Sequence, residues 1–187
     1  MAVQFAQHYR FTADEYVRMA EEGIIPPNAR VELIDGEIVE MSPIGSRHNA
    51  FVDRLNRLLV RKLGDAAIVR VQGSIRLGER VMPQPDFAAL RPRDDFYETS
   101  LPGPADVMLV VEVADTSLVY DRSEKARLYA HSGIPEYWLL DLVQNTVLVH
   151  TESSPIGYQH VEIRSGNESW TSRSLPDLTI SGQEIFG

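Results

Sequence analysis

The sequence predicts a mixed α/β fold, in which one β-sheet is flanked by a few helices. Three observations indicate this class. Segments with helical periodicity are few, short apolar runs are many, and several of these runs follow one another without a helix between them. This order favours a mixed sheet and argues against a doubly wound βαβ repeat. The 187 residues suit a single domain with one core.

The first elements are a helix and a hairpin. Thr12 is followed by acidic residues, which predicts a capped helix that ends near Gly23. Apolar runs at 31–34 and 37–41 flank Asp35-Gly36, a dipeptide that strongly favours a β-hairpin turn.

A long amphipathic helix is predicted from Ser46 to Leu63, and Gly64 ends it. Three arginines share a face that differs from the apolar one. The apolar stripe consists of Phe51, Val52, Leu55, Leu58, Leu59 and Leu63, and the arginines are Arg54, Arg57 and Arg61.

The second half of the chain is mostly strands. A short helix is predicted from Arg122 to His131, where Ser132-Gly133 ends it. We expect a hairpin-like pair at 136–141 and 146–150. Further strands are predicted at 67–71, 74–77, 86–90, 107–113, 158–163 and 168–171, all in one sheet.

Composition excludes several classes of protein. With no cysteine, the chain has no disulfide, no thiolate zinc site and no cysteine nucleophile, which fits a reducing cytoplasm. Residues 1–8 show no apolar leader, and no run reaches the ~20 apolar residues of a membrane span. The expectation is therefore a cytoplasmic protein without a membrane partner.

The net charge of −9 argues against tight, non-specific binding of nucleic acid. Basic residues are nevertheless concentrated between Arg47 and Arg80, a segment that contains eight basic and three acidic residues. A local positive field of this kind steers a polyanion. A solvated basic face explains the same charges equally well.

Two carboxylates lie on apolar strands. Asp86 follows Pro85 and opens one apolar run, and Glu112 lies inside the run 107–113. Buried carboxylates lose hydration and repel each other, so each needs a cation, a partner or a proton. Alone, Asp86 is explained by backbone hydrogen bonds and Glu112 by a buried arginine. Together they favour a divalent cation such as Mg²⁺.

Lys125 is one of two lysines beside sixteen arginines, which hints at a need for a compact or titratable charge. Asp121, Lys125 and Tyr129 share a helix face. The alternative is an exposed Asp121–Lys125 ion pair worth only ~0.3–0.5 kcal/mol. A magnesium site beside a lysine is typical of enzymes that cut phosphodiesters.

The remaining candidates are open. Glu32 lies between Val31 and Leu33, and either faces solvent or points into a cleft. His48, at the start of the long helix, is as readily a cap or core residue as a functional one. The sequence shows no zinc cluster, no glycine-rich phosphate loop and no G-x-S-x-G serine elbow.

An ordered set of segments now resembles a known family. They are 30–38, Pro85-Asp86, 111–117, 120–129 and 133–141. In this order they resemble the Uma-type family of proposed restriction endonucleases, formerly a domain of unknown function, within the PD-(D/E)XK nuclease superfamily. The resemblance covers about residues 12–150 and leaves 151–187 as a C-terminal β extension of the same domain.

The resemblance implies a restriction-endonuclease-like fold and a metal site. Asp86, Glu112 and the backbone carbonyl of Val113 would hold Mg²⁺ or Mn²⁺. Glu32 would lie near the site, and His48 would have an accessory role. The superfamily usually has its lysine two residues after the second acid, where this chain has Ala114.

Because Ala114 carries no charge, the lysine of the site would come from the following helix, as Lys125. The expected activity is metal-dependent hydrolysis of DNA phosphodiesters, with Arg54, Arg57 and Arg61 contacting the DNA backbone. The alternatives are a non-catalytic module that binds nucleic acid or protein, and a hydrolase of small phosphorylated ligands. A homodimer is expected, because nucleases that cut both strands often work as two-fold pairs.

Overall fold

The central sheet has six strands in mixed orientation, with helices on both faces, so the predicted fold class is confirmed. The computed structural model describes residues 8–187. Residues 1–7, in which we predict no leader segment, lie outside the described part of the chain. No helix within residues 8–187 is long and apolar enough to cross a membrane.

The helices are α1 (Ala13–Glu21), α2 (Ser46–Leu63), α3 (Leu118–Tyr120), α4 (Ala126–His131) and α5 (Gly182–Phe186). A π-helical segment, Asp121–Lys125, joins α3 to α4, and short 3₁₀ turns cover Gly64–Ala66 and Pro104–Asp106. The strands are β1 (Val31–Ile34), β2 (Glu37–Glu40), β3 (Ile68–Val71), β4 (Phe87–Leu90), β5 (Val107–Ala114), β6 (Glu136–Asp141), β7 (Thr146–Ser154), β8 (Gly157–Arg164), β9 (Ser169–Thr171) and β10 (Thr179–Ser181).

The central sheet has the order β3-β4-β5-β6-β7-β8. Only its β5–β6 pair is parallel, and the other neighbours are antiparallel. All eight residues of β5 are buried, because both faces are covered. Leu109, Val111 and Val113 pack with α2 and α5, and Val110 and Ala114 pack with α4. Glu112 therefore points to the α4 face.

Several local predictions are confirmed. Thr12 caps α1 with a full capping box formed with Glu15. The β1–β2 hairpin turns at Asp35 and Gly36, both of which have positive φ. Helix α2 has the predicted bounds and ends at Gly64.

Three predictions about strands and helices are wrong. Residues 74–77 are not a strand, because the amides of Ile75 and Leu77 donate to loop carbonyls, and prolines at 83 and 85 cannot donate to a ladder. Strand β9 pairs with β10 in a separate small sheet, since Trp170 is buried against Trp138 on the α2 face. The helix predicted from Arg122 begins earlier, at Leu118.

Candidate active site

Strand pairing brings the two predicted acids together. In the β4–β5 register Phe87 lies opposite Val111, so position 86 lies opposite position 112. The amide of Asp86 donates to Oε2 of Glu112 at 3.2 Å. Both side chains are buried, so two carboxylates lie at neighbouring positions on adjacent strands without full hydration.

Asp86 is held by three donors. Oδ2 accepts from the Val113 amide at 2.9 Å and lies 3.0 Å from Nε2 of His48. Oδ1 accepts from Nε2 of Gln72 at 3.2 Å. The hydrogen bond to Asp86 raises the pKa of His48, although burial opposes the charged imidazole. The structure thus places His48 at the site.

Glu112 is held by the 118–131 helix, which covers its face of the sheet. Its Oε1 accepts from Nζ of Lys125 at 3.0 Å and from the Tyr129 hydroxyl at 2.7 Å. Lys125 also donates to Oε2 of Glu32 at 2.9 Å, and the Gln84 amide donates to the same oxygen at 3.2 Å. Of the two interpretations of Glu32, the one that points it into the cleft is therefore correct.

The alternative of an exposed Asp121–Lys125 pair is wrong. Both side chains are buried, and the salt bridges of Lys125 are those to Glu32 and Glu112. Asp121 accepts a short hydrogen bond from the Ser117 hydroxyl instead. Burial raises the pKa of Asp121, against the lowering effect of that bond.

One lysine is shared by two buried glutamates in this cluster. Burial raises the pKa of Glu112 to about 8; Lys125 acts to lower this pKa, and the charge of Asp86 raises it. Burial disfavours the ammonium of Lys125, but Glu112 and Glu32 outweigh this effect and raise its pKa. Burial also raises the pKa of Tyr129, so its phenol stays protonated and donates.

The structure explains how a lysine reaches Glu112 although position 114 is alanine. Glu112 and Ala114 emerge on the same face of β5, and the 118–131 helix covers that face. The small Ala114 side chain is fully buried in the same apolar cluster as Tyr129. The π-helical segment ends at Lys125, and such segments are frequent at functional sites.

The cluster lies in the wall of a cleft of about 610 Å³. Hairpin β1–β2 and the loop that follows it form one side, and residues 115–123 form the other. Glu32, His48, Asp86, Glu112 and Lys125 all line it. The cleft is large enough for a nucleotide-sized group.

The three arginines predicted to contact DNA do not line this cleft. Arg54 donates instead to the carbonyls of Ile185 and Gly187, at 3.2 and 3.3 Å. Arg57 and Arg61 are exposed farther along α2. Only the first turn of α2, with His48, reaches the site, because the helix is 18 residues long.

Sequence reasoning missed three residues of the site. Gln72 binds Asp86 and has a left-handed φ of 46°, a conformation that is costly outside glycine. Gln84 donates to the Gln72 carbonyl and to Glu32. Arg30 lines the cleft, and its guanidinium donates to the Ser42 carbonyl at 2.6 Å. No sequence signal marked the glutamines, because amide side chains are common in loops.

The oxygen donors at this site suit a hard divalent cation. Asp86 Oδ1 and Glu112 Oε2 each accept one hydrogen bond from the described residues, so each keeps an acceptor position. The Val113 carbonyl points to the same side as its amide, toward Asp86. Within residues 8–187 no group of three or more acidic or histidine side chains could hold a metal. A cation would therefore need the backbone carbonyl as well as the two acids.

Comparison with known sequences identifies the family. Residues 13–183 match the Uma2 family, which is described as "Putative restriction endonuclease". The chain belongs to the Uma2 family. The predicted family resemblance is thereby confirmed over most of the chain.

Two relatives put this Uma2 protein in context. The uncharacterized protein sll1609 of Synechocystis sp. is 27% identical over 135 residues, which are 70% of this chain and 74% of that protein. A crystal structure titled as a putative nuclease belonging to DUF820, from Anabaena variabilis, superposes with a TM-score of 0.70. It covers 94% of this chain and 97% of its own, at 17% identity, which shows a shared fold.

Proposed function

We propose that this Uma2 protein is an endonuclease that uses Mg²⁺ or Mn²⁺ to hydrolyse phosphodiester bonds of DNA. One observation carries the proposal: Asp86 and Glu112 lie opposite each other on neighbouring strands and line one cleft, with the ammonium of Lys125 3.0 Å from Glu112. Two acids and a lysine in this relation are suited to a metal-assisted attack of water on a phosphate. The family description agrees with this activity.

Each residue of the site has a separate task in the proposed reaction. Asp86, Glu112 and the Val113 carbonyl would hold the cation, which when bound lowers the pKa of water and offsets charge on the phosphate. Lys125 would orient the attacking water and stabilise the developing negative charge. Glu32 keeps Lys125 directed at the cleft through their 2.9 Å contact.

The surrounding side chains orient the two carboxylates. Tyr129 donates to Glu112 and His48 to Asp86, so neither carboxylate rotates freely. Asp121 lines the cleft near Lys125 and adds negative charge there. DNA contacts by Arg54, Arg57 and Arg61 stay a prediction, as does a cytoplasmic location. Arg30 is a cation that does line the cleft.

A non-catalytic module is the second candidate. The observation that favours it is the pairing of Lys125 with both glutamates, which lets the cluster hold together without a cation. In that case the cleft would bind nucleic acid or protein, and Ala114 would mark the loss of the usual lysine position.

A cleavage assay tests the proposal. Plasmid, linear and single-stranded DNA are incubated with Mg²⁺ or Mn²⁺, and cleavage is expected to require the metal. Asp86→Asn and Glu112→Gln should each lower the rate by about 100-fold or more, because each replaces an anionic metal ligand by a neutral amide. Asp115→Asn is the matched control, since Asp115 lines the same cleft but pairs with Arg47.

The same variants separate the alternatives. Cleavage that persists unchanged in Asp86→Asn and Glu112→Gln would reject this site. If calorimetry finds no Mn²⁺ binding while DNA or protein binding is intact, the non-catalytic module is correct. Hydrolysis of nucleotide-sized phosphates without salt-dependent DNA binding would indicate a small-molecule hydrolase.

A further inference from the structure

Strand β8 is a long outer edge of the central sheet. It has eight residues and, within the described part of the chain, pairs with β7 alone. The opposite edge, β3, has four residues, all of them partly buried. Natural sheets usually protect an edge by keeping it short or covered. A long exposed edge with free amides and carbonyls is therefore suited to pair with another strand.

The same edge carries exposed apolar side chains. Ile156, in the β7–β8 turn, is 92% exposed, and Val161 and Ile163 are 50% and 64% exposed. Val161 and Ile163 lie opposite His150 and Leu148 of β7, both of which are buried. On the face of the sheet that is buried at β7, the side chains of Val161 and Ile163 on β8 are therefore exposed to solvent.

The charges at His160 and Glu162 of β8 are complementary to those of a second antiparallel copy, and within the chain His160 lies 3.0 Å from Glu152 and Glu162 pairs with Arg164. In a β8–β8 pair related by a two-fold axis perpendicular to the sheet, side chains on one face of the first copy stay on that face in the second. Residues directly opposite each other in an antiparallel pair point to the same face, so the axis must pass beside a residue that pairs with its own copy. Centred on Val161, the pair places His160 opposite Glu162 of the second copy, twice.

Other registers are less favourable. Centring on Glu162 would place that carboxylate directly against its own copy, and like charges opposite each other are destabilising. Centring on Ile163 would carry the pairing past Arg164, where the strand ends. The register at Val161 uses the full strand and opposes unlike partners.

We propose that the chain forms a homodimer in which β8 pairs antiparallel with β8 of a second copy about Val161. The two six-stranded sheets then become one continuous sheet of both copies. This inference does not depend on the proposed nuclease activity, because β8 lies three strands from β5 and does not line the cleft.

Sedimentation of the full chain at about 1 to 100 μM measures the association. The wild type is expected to be a dimer, and Val161→Lys should raise the dissociation constant about tenfold or more, because Val161 is central to the interface. Glu162→Lys should do the same by opposing His160 with a lysine. Adding His160→Glu to Glu162→Lys should restore the dimer, since the charges are then exchanged.

Val143→Lys is the matched control, because Val143 is 68% exposed in the turn between β6 and β7, away from β8. It should leave the dimer unchanged. Circular dichroism of each variant checks that the chain is folded. A wild type that stays monomeric at the highest concentration would overturn the proposal. So would a dimer that tolerates both Val161→Lys and Glu162→Lys, or a charge exchange that fails to restore it.

Discussion

Lys125→Met tests whether the buried cluster is held together by its single cation. The Lys125 side chain is 4% exposed and donates to Glu32 and Glu112 at 2.9 and 3.0 Å. Methionine keeps an unbranched apolar stem of similar length, so the change mainly removes charge. Two buried carboxylates would then lack their cation. Breaking a buried ion pair from one side costs about 3–5 kcal/mol, and we expect that loss in the free energy of unfolding.

The chain supplies a matched control, because Lys62 is its other lysine. Its side chain is 29% exposed and pairs with Glu184 at 2.7 Å. Ion pairs open to solvent contribute about 0–1 kcal/mol, so Lys62→Met should cost no more than that. Urea unfolding in the presence of a chelator measures both losses, with the fluorescence of the buried Trp138 and Trp170 as the signal.

A second substitution shows whether charge is the cause. Adding Glu112→Gln to Lys125→Met removes one uncompensated carboxylate and keeps an acceptor for Tyr129. The double variant should therefore regain at least ~1 kcal/mol, as a coupled pair does in a double-mutant cycle. The reasoning is refuted if Lys125→Met costs no more than Lys62→Met, or if Glu112→Gln lowers its stability further.

Three other predictions follow from the same structure. Mn²⁺ should raise the melting temperature of the wild type but not that of Asp86→Asn. Calorimetric scans with and without the metal measure both temperatures, and equal shifts would exclude Asp86 as a ligand. Burial lowers the pKa of His150 below its usual 6.5, so its neutral form stabilises the fold above that pH and the contribution is lost as the pH falls below it. His150→Phe should therefore reduce the loss of unfolding free energy between neutral and acid pH. An unchanged pH dependence would contradict this prediction. Glu136→Ala should cost about 2–4 kcal/mol in urea unfolding, because Glu136 is fully buried and accepts from Trp138, Ser172 and Ser174; a loss below ~1 kcal/mol would show that these bonds are replaced.

Local signals predicted the elements whose residues interact with close neighbours in the chain. The Thr12 capping box, the Asp35-Gly36 turn and the apolar stripe of α2 each involve residues that are close in the chain. All three predictions are confirmed. Residues 74–77 misled the prediction because Ile75 and Leu77 alternate as a strand does. Their backbone partners lie in loops that no local pattern reveals.

The sequence predicted the acids and the lysine of the candidate site but not all of the residues that bind them. A carboxylate inside an apolar run, as at Glu112, is conspicuous in any sequence because burial of a charge is costly. Helical spacing placed its partners Lys125 and Tyr129 on one face, but no local pattern revealed the glutamines that bind Asp86 and Glu32. Gln72 and Gln84 carry ordinary loop side chains, and Arg54 lies on the same helix as His48 but contacts the C-terminal end.

The sequence by itself determined the mixed α/β class, the family and the identity of the charged residues, because these depend on composition, periodicity and the order of short segments. Only the tertiary structure decided that position 86 lies opposite position 112, and that Lys125 is shared by two glutamates. Strand register and the docking of a helix on a sheet arise from contacts between residues far apart in the chain. Their geometry is settled by the packing of the whole core.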